Sequence, residues 1–381
     1  MKKIFVGIVL FVLMSASIIV PVSATVATKT PFYSLTSGTI LYVGGSGPGN
    51  YTTIQEAIDA TTDGDTVYVY DDSSPYYEAL RINHSISLIG EEKHTTILDG
   101  GNLNNISVVN ISAEGVVVQG FTIQNGSWTL WSNEGNGIVI GANHVRITDN
   151  IIRDNNAGIM VGELLLNSSF IVEANHCVIE DNDIYRNSAG IYFLFGSYCT
   201  LSYNRISYND YEGICINSLS TGNLITCNNI TKNDWMGILI SYAANNTILK
   251  NNIVDNAQGG VVLMDSNKNS ILQNNIYHNG IRNVWTDSIL LDILYTKRRP
   301  FDNTWDGNYW GRTHQLPKPV FGFIFFLLPS LILSLYLQPF KLLQFLRYGN
   351  VSLYLFIPLG LFMVRFDWHP AAEPYVIPEG R

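Results

Sequence analysis

Between residues 137 and 279 the chain writes one short phrase six times, and no other feature limits its possible folds as tightly. Each copy reads roughly Gly-Ile-x-Ile, a small polar connection, then x-Ile-x-x-Asn-x-Ile-x-x-Asn. Aligning the copies on the first Asn gives the column Asn150, Asn182, Asn204, Asn228, Asn251 and Asn274. A second column, five residues on, holds Asn155, Asn187, Asn209, Asn233, Asn256 and Asn279. The intervals are 32, 22, 24, 23 and 23 residues. A period of this length marks stacked units, none of which buries its apolar face alone.

Within each copy the apolar residues alternate, as in Gly237-Ile238-Leu239-Ile240, which is the periodicity of a strand. The strands are short, and the Asn, Asp, Gly and Ser between them turn the chain. About 23 residues per turn, with two or three strands and no helix, describe one coil of a parallel β-solenoid, with coils about 4.8 Å apart. Crossovers between parallel strands are nearly always right-handed, so the expected fold is all-β, a right-handed parallel β-helix. The Asn columns then become side-chain amides bonding the same amide one coil above and below. An Ile column, Ile152, Ile184, Ile206, Ile230, Ile253 and Ile276, stacks in the interior.

A solenoid grows in one dimension, so 381 residues need no second core. Acids outnumber bases 31 to 22, leaving a net charge of −9, and no basic stripe points to nucleic acid. Lys2-Lys3, an apolar run over residues 4–20 and Val22-Ser23-Ala24 read as a signal peptide over residues 1–24, with an uncleaved anchor as the alternative. Nine N-x-Ser/Thr sequons, from Asn50 to Asn350, agree with an exported glycoprotein. Cys177 and Cys199 each precede a ladder Asn by five residues, so they fall in neighbouring coils, as a disulfide or as stacked free thiols. No cysteine spacing supports a zinc site.

Residues 25–62 form a lead-in and an N-terminal cap, in which 52–60 (TTIQEAIDA) is a short amphipathic helix with Thr52 or Thr53 as its N-cap. Residues 63–312 are the coils. The series "TIQEAID…GDTVYV…YYEALRI…SISLIGE…TTILDG" resembles the opening of the NosD-like family of exported parallel β-helix proteins. Asn303-Thr304-Trp305-Asp306-Gly307-Asn308-Tyr309-Trp310 resembles that family's closing segment, and the resemblance takes in Phe366-Asp367-Trp368-His369-Pro370-Ala371. It implies the fold and export, together with the copper-site maturation that the family's name carries, and thus a periplasmic accessory role as one alternative.

Two insertions interrupt the period and are expected to become loops on one flank: residues 127–136, with Trp128 and Trp131, and residues 162–174. Residues 313–381 form an apolar tail. Its stretch 319–339 carries no charge and is long enough for a membrane span; a second apolar run covers 351–364. A membrane hairpin is one reading of 319–364. The other is a tail packed along the solenoid, where the outward positions Val139, Met160, Tyr192, Cys215, Leu239 and Val262 make an apolar stripe.

The best patch for chemistry is Asn209-Asp210-Tyr211-Glu212-Gly213 above Asn233-Asp234-Trp235-Met236-Gly237. Tyr211 beside Trp235 would receive sugar rings, and Asp210 beside Asp234 would accept hydroxyl hydrogen bonds; Trp128 and Trp131 join them as glycan-binding candidates. Paired carboxylates also cleave glycosidic bonds, which makes Asp210, Glu212 and Asp234 the catalytic candidates for a hydrolase, lyase or epimerase. Asp149, Asp181 and Asp183 form a second acidic cluster, of a kind that binds calcium or faces water. His144 and His176 share one offset and are the candidate ligands for copper or zinc, although no Met or Cys completes a soft site. The expectation is an exported surface β-helix with a polysaccharide or glycan partner, without a resident cofactor. A polysaccharide-modifying enzyme and a structural envelope or adhesion component are the alternatives.

Overall fold

The computed structural model describes residues 38–101, 106–126, 135–165, 170–217, 219–280, 282–289, 303–311, 318–325, 360–367 and 369–378. The signal segment, Trp128 and Trp131, and most of the apolar tail lie outside the described residues.

Every coil except those at the two ends contributes a strand to each of three long sheets. The first sheet runs from Ile40–Val43 to Thr304–Asp306, the second from Tyr76–Tyr77 to Asn275–Tyr277, and the third from Leu80–Ile82 to Arg282–Ile289 and beyond. From coil to coil the pairing is parallel and the register places like on like: Ile147, Ile179, Leu201, Ile225, Ile248 and Ile271 follow one another in the first sheet. The column Ile152, Ile184, Ile206, Ile230, Ile253 and Ile276 lies fully buried in the second. The chain is a parallel β-helix, as its period requires. The glycine that opens the third-sheet strand in each of the six repeats is set by crowding, since a Cβ on Gly213 would lie 2.7 Å from Ile230 Cγ2 and 2.8 Å from the Gly237 carbonyl oxygen.

Three corners join the sheets, and all share one design: a residue at positive φ, then a buried residue that bonds to the next coil. At the corner between the first and second sheets the positive-φ residues are Asp149, Asp181, Tyr203, Cys227, Lys250 and Gln273, each followed by an Asn of the first ladder. The backbone N–H and Nδ2 of Asn228 both donate to Asn251 Oδ1, at 2.9 and 3.0 Å. Its Nδ2 also donates to the carbonyls of Leu201 and Thr226, and its Oδ1 accepts from Asn204. The buried amide is thereby saturated, as buried polar groups must be. The second ladder repeats this between the second and third sheets.

A third ladder, which the repeat alignment missed, lies between the third and first sheets: Asn223, Asn246, Asn269 and Asn303. Lower down, Cys199 and Cys177 take its place. Cys199 donates its N–H to Asn223 Oδ1, and its sulfur accepts the N–H of Cys177 at 3.4 Å. Of the two readings for this pair, the structure has the free thiols.

The helix α1, Ile54–Asp59, covers the N-terminal end and is shorter than the expected 52–60. Thr53 is its N-cap, and the Glu78 carboxylate accepts the N–H groups of Ile54 and Gln55. At the other end the two separated parts of the closing motif meet. Asp367, fully buried, stands where the first ladder's next Asn would be and accepts from Asn308 N, Asn308 Nδ2, Gly307 N and Trp310 Nε1.

The flanks of the apolar tail are strands. Lys318–Phe325 pairs parallel with the strand Arg282–Ile289 and antiparallel with Gly360–Asp367, which prolongs the third sheet. Residues at the start of 319–339 and at the end of 351–364 are therefore sheet. No helix among the described residues is long and apolar enough to cross a membrane. The outward stripe on the third sheet is not exposed: Val139, Met160, Cys215 and Val262 are at most 5% accessible. The insertion at 162–174 forms an antiparallel hairpin, Glu163–Leu165 with Phe170–Val172.

Candidate functional site

At the corner between the second and third sheets, two neighbouring coils depart from the pattern of small residues. After the ladder residues Asn209 and Asn233 come Asp210-Tyr211 and Asp234-Trp235, where the coil below has Ser188-Ala189 and the coil above has Ala257-Gln258. The backbone here is tied to its neighbours: Asp210 and Tyr211 donate to the carbonyls of Asn187 and Ser188, Asp234 donates to Asn209, and Gln258 donates to Trp235. The two rings thus stand on a rigid base between non-aromatic neighbours, Ala189 below and Gln258 above. Their centroids are 5.9 Å apart and their planes meet at 73°, so the two rings lie side by side, as the sequence implies, in an edge-to-face contact. Tyr211 is 36% and Trp235 41% exposed.

Asp210 and Asp234 flank the rings and are exposed. Partial burial, and then the Asp234 charge, push the Asp210 carboxyl above its usual range. Burial likewise pushes Glu212 up; it is only 7% exposed, set behind the rings. Asp210 and Asp234 therefore offer hydroxyl acceptors beside an aromatic edge, while Glu212 belongs to the wall.

The other candidates separate from this patch. Asp149 holds Lys93 at 2.6 Å and Asp183 is clasped by Arg205, so two members of the second acidic cluster are neutralised by ion pairs instead of gathering round a cation. His144 and His176 lie one coil apart, as their offset implies, with ring centroids 5.3 Å apart and planes within 10°. Tyr198 continues the stack above them at 5.3 Å and 13°. An imidazole lone pair lies in its ring plane, and a metal sits about 2.0 Å from the nitrogen. Two parallel rings held face to face cannot both direct lone pairs at one ion over that distance. Among the described residues no group of three His, Cys, Asp or Glu side chains gathers to hold a metal. Sequence reasoning missed Asp367 and the third ladder. The signal for Asp367 was present in the Phe366-Asp367-Trp368-His369 motif, which lies far from its partners along the chain.

Three parallel sheets, amide-lined corners and an exposed aromatic corner define a parallel β-helix with a side-chain platform on one edge. The family model described as "Periplasmic copper-binding protein (NosD)" matches residues 58–314, and the chain belongs to that family. The stacked His144 and His176 do not fit the copper of that description. No curated protein sequence matches the chain. Among solved structures, XylC in complex with xylose is similar at 12% identity and a TM-score of 0.54, covering 77% of this chain and 71% of XylC. Dettilon tailspike protein is similar at 14% identity and 0.52, covering 71% of this chain and 62% of the tailspike. The A-module of the Azotobacter vinelandii mannuronan C-5 epimerase AlgE4 aligns at 16% identity and 0.47, over 68% of this chain and 81% of the module. At these identities the likeness is one of fold.

Proposed function

We propose that this protein is an exported β-helix that binds polysaccharide or surface glycan through the Tyr211/Trp235 corner. The observation that carries the reading is the exposed aromatic pair, raised on a fixed backbone and flanked by two carboxylates. Aromatic rings cover the C–H faces of a sugar, and carboxylates accept its hydroxyl protons. Export is supported by the Lys2-Lys3, apolar and Val22-Ser23-Ala24 sequence and by the periplasmic description of the family.

A glycan array probed with the native protein and with Tyr211→Ala/Trp235→Ala tests the site. Loss of the bound glycans in the double variant is expected, and unchanged binding removes the patch. For export, the mature N-terminus is expected near Thr25; recovery of the intact N-terminus in the cytoplasmic fraction would refute it.

A further inference from the structure

A cleft of about 660 Å³ opens at the N-terminal end of the third sheet, against α1, the strands Leu80–Ile82 and Val109–Ile111, and the base of the hairpin at Glu163. Ligand sites usually enclose roughly 300–1,000 Å³, so its size is sufficient for a small sugar segment. Its functional lining is Gln55, Asp59, Arg81, Ile106, Asn110 and Glu163. Gln55 fixes one wall: its Nε2 donates to Asp59 Oδ1 at 2.8 Å and to the Arg81 carbonyl, and its Oε1 accepts the Arg81 N–H at 2.8 Å. Arg81 and Asn110 occupy neighbouring outward positions of the sheet, and Ile106 is 46% exposed at the rim.

Arg81 differs from the other arginines whose side chains are described. Arg146, Arg153, Arg186 and Arg205 each hold a carboxylate, whereas the Arg81 guanidinium has no ion-pair partner among the described residues. A rigid fork of donors therefore faces a cleft that also offers two carboxylates, two amides and an apolar rim.

We infer that this cleft is a second sugar subsite, which takes neutral sugar residues of the same glycan that the Tyr211/Trp235 corner grips. The inference rests on the carbohydrate reading above. The guanidinium donates to hydroxyl and ring oxygens, Asp59 and Glu163 accept hydroxyl protons, the Asn110 amide does both, and Ile106 covers a C–H face. The ligand is neutral because a chain whose net charge is −9 repels polyanions. Along the sheet, Arg81, Asn110, Val139, Met160, Tyr192 and Cys215 are successive rungs. Five steps of about 4.8 Å separate the cleft from the aromatic corner by roughly 24 Å. Val139, Met160 and Cys215 between the two sites are covered, so a disaccharide reaches one site, and a chain long enough to pass over them engages both at a high effective concentration.

Calorimetric titration of the full chain with xylan, glucan and mannan disaccharides and octasaccharides tests this, with an oligogalacturonate octasaccharide as the anionic probe. A neutral octasaccharide is expected to bind at least tenfold more tightly than its disaccharide. Arg81→Ala and Asn110→Ala, both at exposed positions, are each expected to remove most of that gain and to leave binding of the disaccharide by the aromatic corner unchanged. If these variants keep the full octasaccharide affinity while Tyr211→Ala/Trp235→Ala loses it, the cleft is refuted and the corner stands. If only the Arg81 and Asn110 variants lose affinity, the corner fails and the cleft survives. Tighter binding of oligogalacturonate than of every neutral chain overturns the neutral assignment, and no binding by any probe overturns both sites.

Discussion

The corner between the first and second sheets and the corner between the third and first have the same backbone and different fillings. In the first, amides run without a break from Asn150 to Asn308 and end on the Asp367 carboxylate. In the other, four amides stand above two thiols. The Cys199 thiol donates to the carbonyls of Ala174 and Ser197, the positions that an Asn Nδ2 serves elsewhere in the ladders. The slot thus asks for a small group that accepts an N–H from below and donates to two carbonyls. Asparagine answers fully and cysteine weakly, since sulfur is a poor partner in both roles.

The largest test of this comparison lies at the carboxylate end. Asp367→Ala strands four N–H donors that all point at one buried site, each costing about 1–3 kcal/mol when unsatisfied. A loss of about 4 kcal/mol or more is expected in urea unfolding, with the Trp305 and Trp310 emission shifting first as that end opens. A loss below about 1 kcal/mol would mean that the ladder does not need its terminal acceptor.

Next in size is Asn228→Ala, in the middle of the unbroken ladder. It deprives Asn204 of its acceptor and frees the carbonyls of Leu201 and Thr226, for an expected cost of about 3 kcal/mol. The same change at Asn229, exposed on the second sheet and outside the ladders, is expected to stay within about 0.5 kcal/mol by thermal unfolding. Equal effects at the two positions would break the distinction between ladder and surface asparagines.

How much of this was legible depended on whether a column repeats one residue type. The first two ladders and the Ile interior could be read directly, because Asn and Ile recur at fixed spacing. The third ladder could not, since Val145, Cys177 and Cys199 occupy its lower positions and hide Asn223, Asn246, Asn269 and Asn303 from an alignment by identity. Asp367 escaped because its partners lie about sixty residues upstream, in Gly307, Asn308 and Trp310. The Tyr211/Trp235 pair was found because it breaks the pattern, but sequence could not give its edge-to-face geometry. Periodicity also could not tell that the outward stripe is buried, since alternation marks a face without saying what covers it.

Glu212, at the corner between the second and third sheets, gives a pH test. Its folded pKa is raised by burial, so the folded state holds this proton more tightly than the unfolded chain does. The resulting stability is full below the ordinary glutamate value and is lost as pH rises through the raised folded value. Glu212→Gln stays neutral throughout and has nearly the same shape. A higher melting temperature than the native chain at neutral pH is expected, with the difference closing in acid. A gap that widens in acid would show that the carboxylate is stabilised as an anion instead.

The smallest effect expected is a gain. Cys199→Asn would carry the third ladder one coil lower, because Asn223 Oδ1 already accepts the backbone N–H at this position and the carbonyls of Ala174 and Ser197 already receive a donor. Cysteine and asparagine have similar volumes, so the buried corner need not expand. Replacing a sulfur by an amide should strengthen the contacts to Cys177 below and Asn223 above, a stabilisation of about 1 kcal/mol. The reverse change, Asn223→Cys, should cost about as much. The Cys199 thiol is pushed up by its hydrogen bond with Cys177 and then by burial, so it remains protonated at neutral pH and the comparison is between two neutral side chains. Paired urea titrations of both variants decide the matter: if Cys199→Asn destabilises while Asn223→Cys is silent, the lower corner is shaped for thiols, and the two corners share a backbone without sharing a rule.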